Sequence, residues 1–123
     1  MKKTVLVVED FASIRDFVCE ILEKKGYHAI KTTNGNEALE VLSRQAEEIS
    51  LVLSDYNMPE CTGMELLKKI KAKPATFPIP VVFLTTESDP VKMRTAKDAG
   101  LAAWVRKPYK ADTFFALLEN LSR

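Results

Sequence analysis

Short, uninterrupted apolar runs alternate along this chain with stretches whose apolar residues recur at helical spacing, and that rhythm restricts the fold more than any other feature. Val5 to Val8 is a continuous run rich in β-branched residues, the pattern of a strand covered on both faces in a parallel sheet. Behind it, Ile14, Phe17, Val18, Ile21 and Leu22 recur at i, i+3, i+4, i+7 and i+8, and Gly26 after Lys24-Lys25 supplies a left-handed stop. The spacing predicts a strand followed by an amphipathic helix with those five residues inward.

The pair then repeats. His28 to Thr32 reads as a second strand, and Asn34 with Glu37 as a capping box that opens a helix with Ala38, Val41 and Leu42 inward. A third strand, Leu51 to Ser54, ends in Asp55. The loop Met58 to Gly63 follows, and Met64, Leu67 and Ile70 mark a third helix. Pro74, Pro78 and Pro80 bound the next loop. Val81 to Leu84 ends in Thr85-Thr86, Asp89-Pro90 suits the N-cap and first turn of a fourth helix, and Gly100 stops it. Ala103 to Arg106 leads to Lys107-Pro108, and Phe114, Leu117, Leu118 and Leu121 line the last helix. Five strands alternating with five helices, with no loop of linker length, predict one domain over residues 1–123. Its fold class is α/β, a (βα)5 doubly wound five-stranded parallel sheet.

Composition removes several function classes. Lys and Arg number 18 against 17 Asp and Glu, so a net charge of +1 gives no whole-molecule attraction to nucleic acid or an anionic membrane. Cys19 and Cys61 form neither a CxxC nor a zinc-ligand spacing and suit a reducing cytoplasm. The apolar run at the amino end is too short for a signal-peptide core or a membrane span. The expectation is a cytoplasmic monomer that neither inserts in membranes nor binds nucleic acid directly.

In open parallel sheets, ligands sit outside the carboxyl ends of the strands, near the switch in strand order. Here those ends carry Glu9, Asp10, Asp55, Thr85 and Lys107. Three carboxylates at one edge repel one another unless a cation neutralises them, and magnesium suits an all-oxygen site. Lys107 reaches towards an anion as a point charge, and the Thr85 hydroxyl can donate to it. A carboxylate nucleophile, charge neutralisation and positioning groups are what phosphoryl transfer to Asp55 requires. Singly, each of these residues is ordinary turn or cap chemistry. Their joint placement favours a site.

Val5-Leu6-Val7-Val8-Glu9-Asp10, Ser54 to Pro59 with Gly63, Leu84-Thr85-Thr86 and Lys107-Pro108 resemble, in order and spacing, the hallmark blocks of the response-regulator receiver domains of two-component signalling. Asp10 to Arg15 looks most like the family's stand-alone chemotaxis members. The resemblance implies the flavodoxin-like sheet order 2-1-3-4-5. It implies that Asp55 accepts a phosphoryl group from a sensor histidine kinase. It assigns Mg2+ to Asp10, Asp55 and the backbone carbonyl of Asn57, with Glu9 acting mostly through metal-bound water. Thr85 and Lys107 would contact the phosphoryl oxygens. Thr85 would then move inward with Trp104, remodelling the face of helix four, strand five and helix five. Asn57 and Glu87 match positions that tune hydrolysis, which implies a short-lived phosphoryl state. Position 104 departs from the usual Tyr or Phe, and the bulkier indole is expected to bury less fully. The implied partners are the kinase, a downstream protein such as a flagellar motor switch, and a phosphatase. The chain would be a switch rather than an enzyme acting on other substrates.

The remaining residues read as structural: His28 and Cys19 as surface positions, Cys61 as a loop thiol, and Lys68, Lys69, Lys71 and Lys73 as a solvated helix face. An aspartate-nucleophile phosphatase wants a second Asp where Asn57 stands. A nucleotide or flavin binder wants glycines where Glu9 to Ser13 stand. A phosphorelay receiver, or a receiver from a longer DNA-binding regulator, stays open.

Overall fold

The computed structural model describes residues 2–122; Met1 and Arg123, the ends of the expected domain, lie outside the described residues. The strands are β1 (Thr4–Val8), β2 (His28–Thr32), β3 (Leu51–Ser54), β4 (Val81–Thr85) and β5 (Ala103–Arg106). They alternate with α1 (Ala12–Lys24), α2 (Gly35–Gln45), α3 (Gly63–Lys71), α4 (Pro90–Asp98) and α5 (Ala111–Leu121). All pairings are parallel and the sheet order is β2-β1-β3-β4-β5, the expected (βα)5 architecture.

Strand residues alternate between two cores. Val5, Val7, Leu51, Leu53, Val82 and Leu84 pack with α1 and α5, whereas Leu6, Val8, Val52, Val81 and Phe83 pack with α2, α3 and residues of α4. Both faces are covered, which is why these strands read as continuous apolar runs.

Helix ends follow their local chemistry. Gly26 and Gly100 take positive φ, +92° and +103°, where a Cβ would be strained. Asp89 Oδ1 accepts from Val91 N–H at 2.9 Å with Pro90 behind it. Asn34 Oδ1 accepts from Glu37 N–H at 2.8 Å, but the Glu37 carboxylate returns to Thr33 rather than to Asn34. The reciprocal capping box is at Thr62 and Glu65.

The helix faces bring further corrections. On α1 the inward residues are Val18, Cys19 and Leu22, with Arg15 half-buried, while Phe17 is 60% exposed and Ile14 is exposed. The helix is turned so that positions 15, 18, 19 and 22 face the sheet, and Cys19 is therefore a core residue, not a surface one. On α3 Leu66 is buried with Leu67 and Ile70, and Met64 is only half-buried. Lys71 is not solvated with its neighbours. Its Nζ donates to the carbonyls of Phe77 and Ile79 at 2.8 and 2.9 Å, and desolvation lowers its pKa.

Candidate functional site

Parallel register brings the strand-end residues to one edge. Val8 pairs with Ser54, and the Asp55 N–H donates to the Val8 carbonyl at 3.2 Å, which sets Glu9 and Asp10 beside Asp55. Thr85 pairs with Arg106, and the Lys107 N–H donates to the Thr85 carbonyl at 2.9 Å. The chain leaves β1 for β2 on one side and returns as β3 on the other, so the carboxylates stand at the switch in strand order.

Glu9, Asp10 and Asp55 each present an oxygen, and the three oxygens lie within 4.8 Å of one another, the one such cluster among the described residues. Glu9 is buried, and desolvation pushes its carboxyl up to about 7. The Phe11 N–H opposes that rise, Asp10 and the Asp55 charge add to it, and Lys107 pulls it down. Lys107 Nζ stands 3.9 Å from Glu9 Oε1. Asp10 Oδ1 is buried with no hydrogen-bond partner. A buried carboxylate oxygen facing other acids, with no donor, is costly unless a cation meets it. The all-oxygen donor set fits a hard divalent ion.

Asp55 is half-buried, and its Oδ1 accepts from the Tyr56 N–H at 2.7 Å and, at the limit of 3.5 Å, from the N–H of the exposed Asn57. Thr85 is 1% exposed and its Oγ1 accepts from the Glu87 N–H at 3.2 Å, which leaves the hydroxyl proton to donate elsewhere. Gly63 closes the loop behind Asp55: its N–H donates to the Tyr56 carbonyl at 3.0 Å, and a Cβ there would lie 2.7 Å from the Asp55 carbonyl oxygen.

Trp104 is half-buried. Its centroid lies 5.1 Å from Tyr56 and 5.6 Å from Phe83, and its Nε1 donates to the Glu87 carbonyl at 3.0 Å. The residue on β5 thereby touches both the neighbour of Asp55 and the loop after Thr85. His28 and the exposed Lys68, Lys69 and Lys73 stay outside this site.

Three residues at the site went unread in the sequence. Arg15 donates through Nη1 to the Glu9 carbonyl at 2.8 Å; a charge on the Val18–Leu22 stripe was its signal. Tyr56 supplies the shortest hydrogen bond to Asp55 and packs against Trp104 with the rings tilted by 44°. Lys92 binds Glu87 Oε1 at 2.9 Å and lies 5.7 Å from the Tyr56 ring centroid. Lys92 and the ring contacts of Tyr56 carried no sequence signal, because those partners come from other elements.

A family model described as the response regulator receiver domain matches residues 5–119. The chain belongs to that family. The receiver is 30% identical over 118 residues to a chemotaxis protein CheY homolog of Campylobacter jejuni, covering 95% of this chain and 90% of the relative. It is 34% identical over 120 residues to histidine kinase P4 of Formosa agariphila, covering 98% of this chain but 8% of that protein. Chemotaxis protein CheY4 of Vibrio cholerae superposes with a TM-score of 0.89 at 31% identity, covering 98% of the receiver and 99% of CheY4. The chain is thus a CheY-like receiver domain. No helix among its described residues is long and apolar enough to cross a membrane.

Proposed function

We propose that this receiver is a cytoplasmic, monomeric phosphorylation switch in which Asp55 takes a phosphoryl group from the phosphohistidine of a sensor histidine kinase. The observation that carries the reading is the meeting of Asp55 with Glu9, Asp10, Thr85 and Lys107 at one sheet edge. The Tyr56 N–H holds Asp55 Oδ1, so Oδ2 is the oxygen free to attack. It bonds to phosphorus as the N–P bond of the donor breaks, and the imidazole leaves with the electron pair. Magnesium would be held by Asp10, Asp55 and the Asn57 carbonyl, with Glu9 behind them. When bound, it neutralises the phosphoryl oxygens. Lys107 brings a fixed cation and Thr85 a hydroxyl donor to the same oxygens.

The added charge favours whichever loop arrangement offers it Thr85 and Lys107. Trp104 is tied through Glu87 to the loop that Thr85 begins, so the shift passes to the α4-β5-α5 face and a protein partner, with flagellar motor control the favoured output. Phe11 and Phe17, 62% and 60% exposed beside the site, give the donor an apolar rim to cover. The receiver catalyses only its own phosphorylation and dephosphorylation, and a separate phosphatase can hasten the latter. The match to a short stretch of a histidine kinase favours a second reading, an intermediate receiver in a phosphorelay.

The test is uptake from acetyl phosphate with magnesium, followed by intact-mass spectrometry. The wild type gains one phosphoryl group and Asp55→Asn gains none while keeping its circular dichroism. Uptake by Asp55→Asn at the wild-type rate would overturn the assignment. A flagellar motor-switch peptide that binds tighter with beryllofluoride supports the chemotaxis output, and unchanged affinity supports the relay.

A further inference from the structure

Glu87 is anchored at every polar atom. Its N–H donates to Thr85 Oγ1 at 3.2 Å and its carbonyl accepts from Trp104 Nε1 at 3.0 Å. Its Oε1 accepts from Lys92 Nζ at 2.9 Å, and Oε2 accepts from the N–H groups of Ser88 and Asp89 at 3.2 and 3.3 Å. The main chain is therefore fixed beside the hydroxyl that lines the phosphoryl crevice, while the carboxylate is turned along its own loop towards α4.

Lys92 is fixed in its turn. Its ammonium lies 5.7 Å from the centroid of Tyr56, the residue after Asp55, and the Tyr56 ring packs at a tilt against Trp104. Glu87, Lys92, Tyr56 and Trp104 close a ring of contacts joining the β3–α3 loop, the β4–α4 loop, α4 and β5. Within that ring, the ion pair is the contact made to the carboxylate from outside its own loop. The ammonium holds the Glu87 carboxyl below the usual range, and the carboxylate raises the lysine. Both groups are charged at neutral pH.

Hydrolysis of an acyl phosphate needs a water oxygen to attack phosphorus while the P–O bond to the Asp55 oxygen breaks. The aspartate leaves with the electron pair, and the water's proton passes to a base or to solvent. A carboxylate at the rim that accepts from that water lowers the barrier. The Glu87 N–H bonds the Thr85 hydroxyl oxygen of the crevice, so rotation of its side chain, once released from Lys92, is the movement that would turn the carboxylate towards that water.

We propose that Lys92 is a positioning residue that holds the Glu87 carboxylate away from the crevice and so lengthens the lifetime of phosphorylated Asp55. The proposal rests on the phosphorylation reading above and concerns only the decay of the product.

The test is a double-mutant cycle on the first-order decay of the phosphorylated protein after removal of excess phosphodonor. Lys92→Met should decay about two- to fivefold faster than wild type, the bias available to an ion pair of this exposure. Lys92→Arg, which keeps the charge, should decay at the wild-type rate. Glu87→Gln/Lys92→Met should decay no faster than Glu87→Gln alone, because the freed carboxylate is gone. Thermal melting of all four variants checks that the fold is kept. Decay of Lys92→Met at the wild-type rate would overturn the proposal. So would an equal acceleration in the Glu87→Gln background, which would route the effect through Tyr56. Both results leave Asp55 as the acceptor, whereas a wild type that takes up no phosphoryl group removes the acceptor reading and this one with it.

Discussion

Glu9 is where burial and charge compete most directly. Its carboxyl titrates near 7 instead of 4.5, chiefly because burial penalises the anion. The native state therefore holds a proton between those values that the unfolded chain has released. Stability falls as pH rises through that window and is fully present only below it. In the metal-free protein, the urea midpoint should drop between pH 4.5 and 7, and Glu9→Gln should flatten the drop. Magnesium at pH 7 should restore the midpoint, because an ion that binds the anionic cluster binds the native state. A wild-type midpoint that stays level over this range would remove the claim that Glu9 is desolvated. The same crowding explains the orphaned Asp10 Oδ1. Acidic residues after strand one are plain in the sequence, but which of their oxygens lacks a partner depends on Asp55 arriving from β3.

At the scale of elements, most helix ends were legible and helix rotations were not, although the reciprocal capping box lies at Thr62 and Glu65 instead of Asn34 and Glu37. Gly26, Gly100 and the Asp89-Pro90 pair act within one turn of the chain, and each does what its chemistry requires. The apolar pattern of α1 fits two faces that share Val18 and Leu22. The face chosen places Arg15 against the Glu9 carbonyl and exposes Phe17. On α3 the same limit hid Lys71, which joins two carbonyls of the following loop and lies under Gly100. Lys71→Met leaves both carbonyls without that donor and should cost about 1–2 kcal/mol by chemical denaturation. Lys68→Met, on the exposed face, should stay within about 0.5 kcal/mol of wild type. Equal effects of the two substitutions would return Lys71 to the solvated face.

For the whole molecule, the sheet is both the core and the route between site and surface. Phe83 is fully buried at the centre of β4 and meets Tyr56 and Trp104 edge-on, with centroids 5.7 and 5.6 Å away. Phe83→Ala should cost about 3–5 kcal/mol. It should also change the emission of Trp104, the one tryptophan in the chain, before unfolding begins. Lost stability with unchanged emission would mean that the ring supports the core without supporting Trp104. The sequence by itself determined the βα rhythm, the five strand-end residues and the acidic character of the edge, because strand period, helix period and turn chemistry act over a few neighbouring residues. Only the tertiary structure decided the face of α1, the anchoring of Lys71, and the ring through Tyr56, Glu87, Lys92 and Trp104. Those contacts join residues from different elements, and their geometry follows from how the elements pack, which no local pattern encodes.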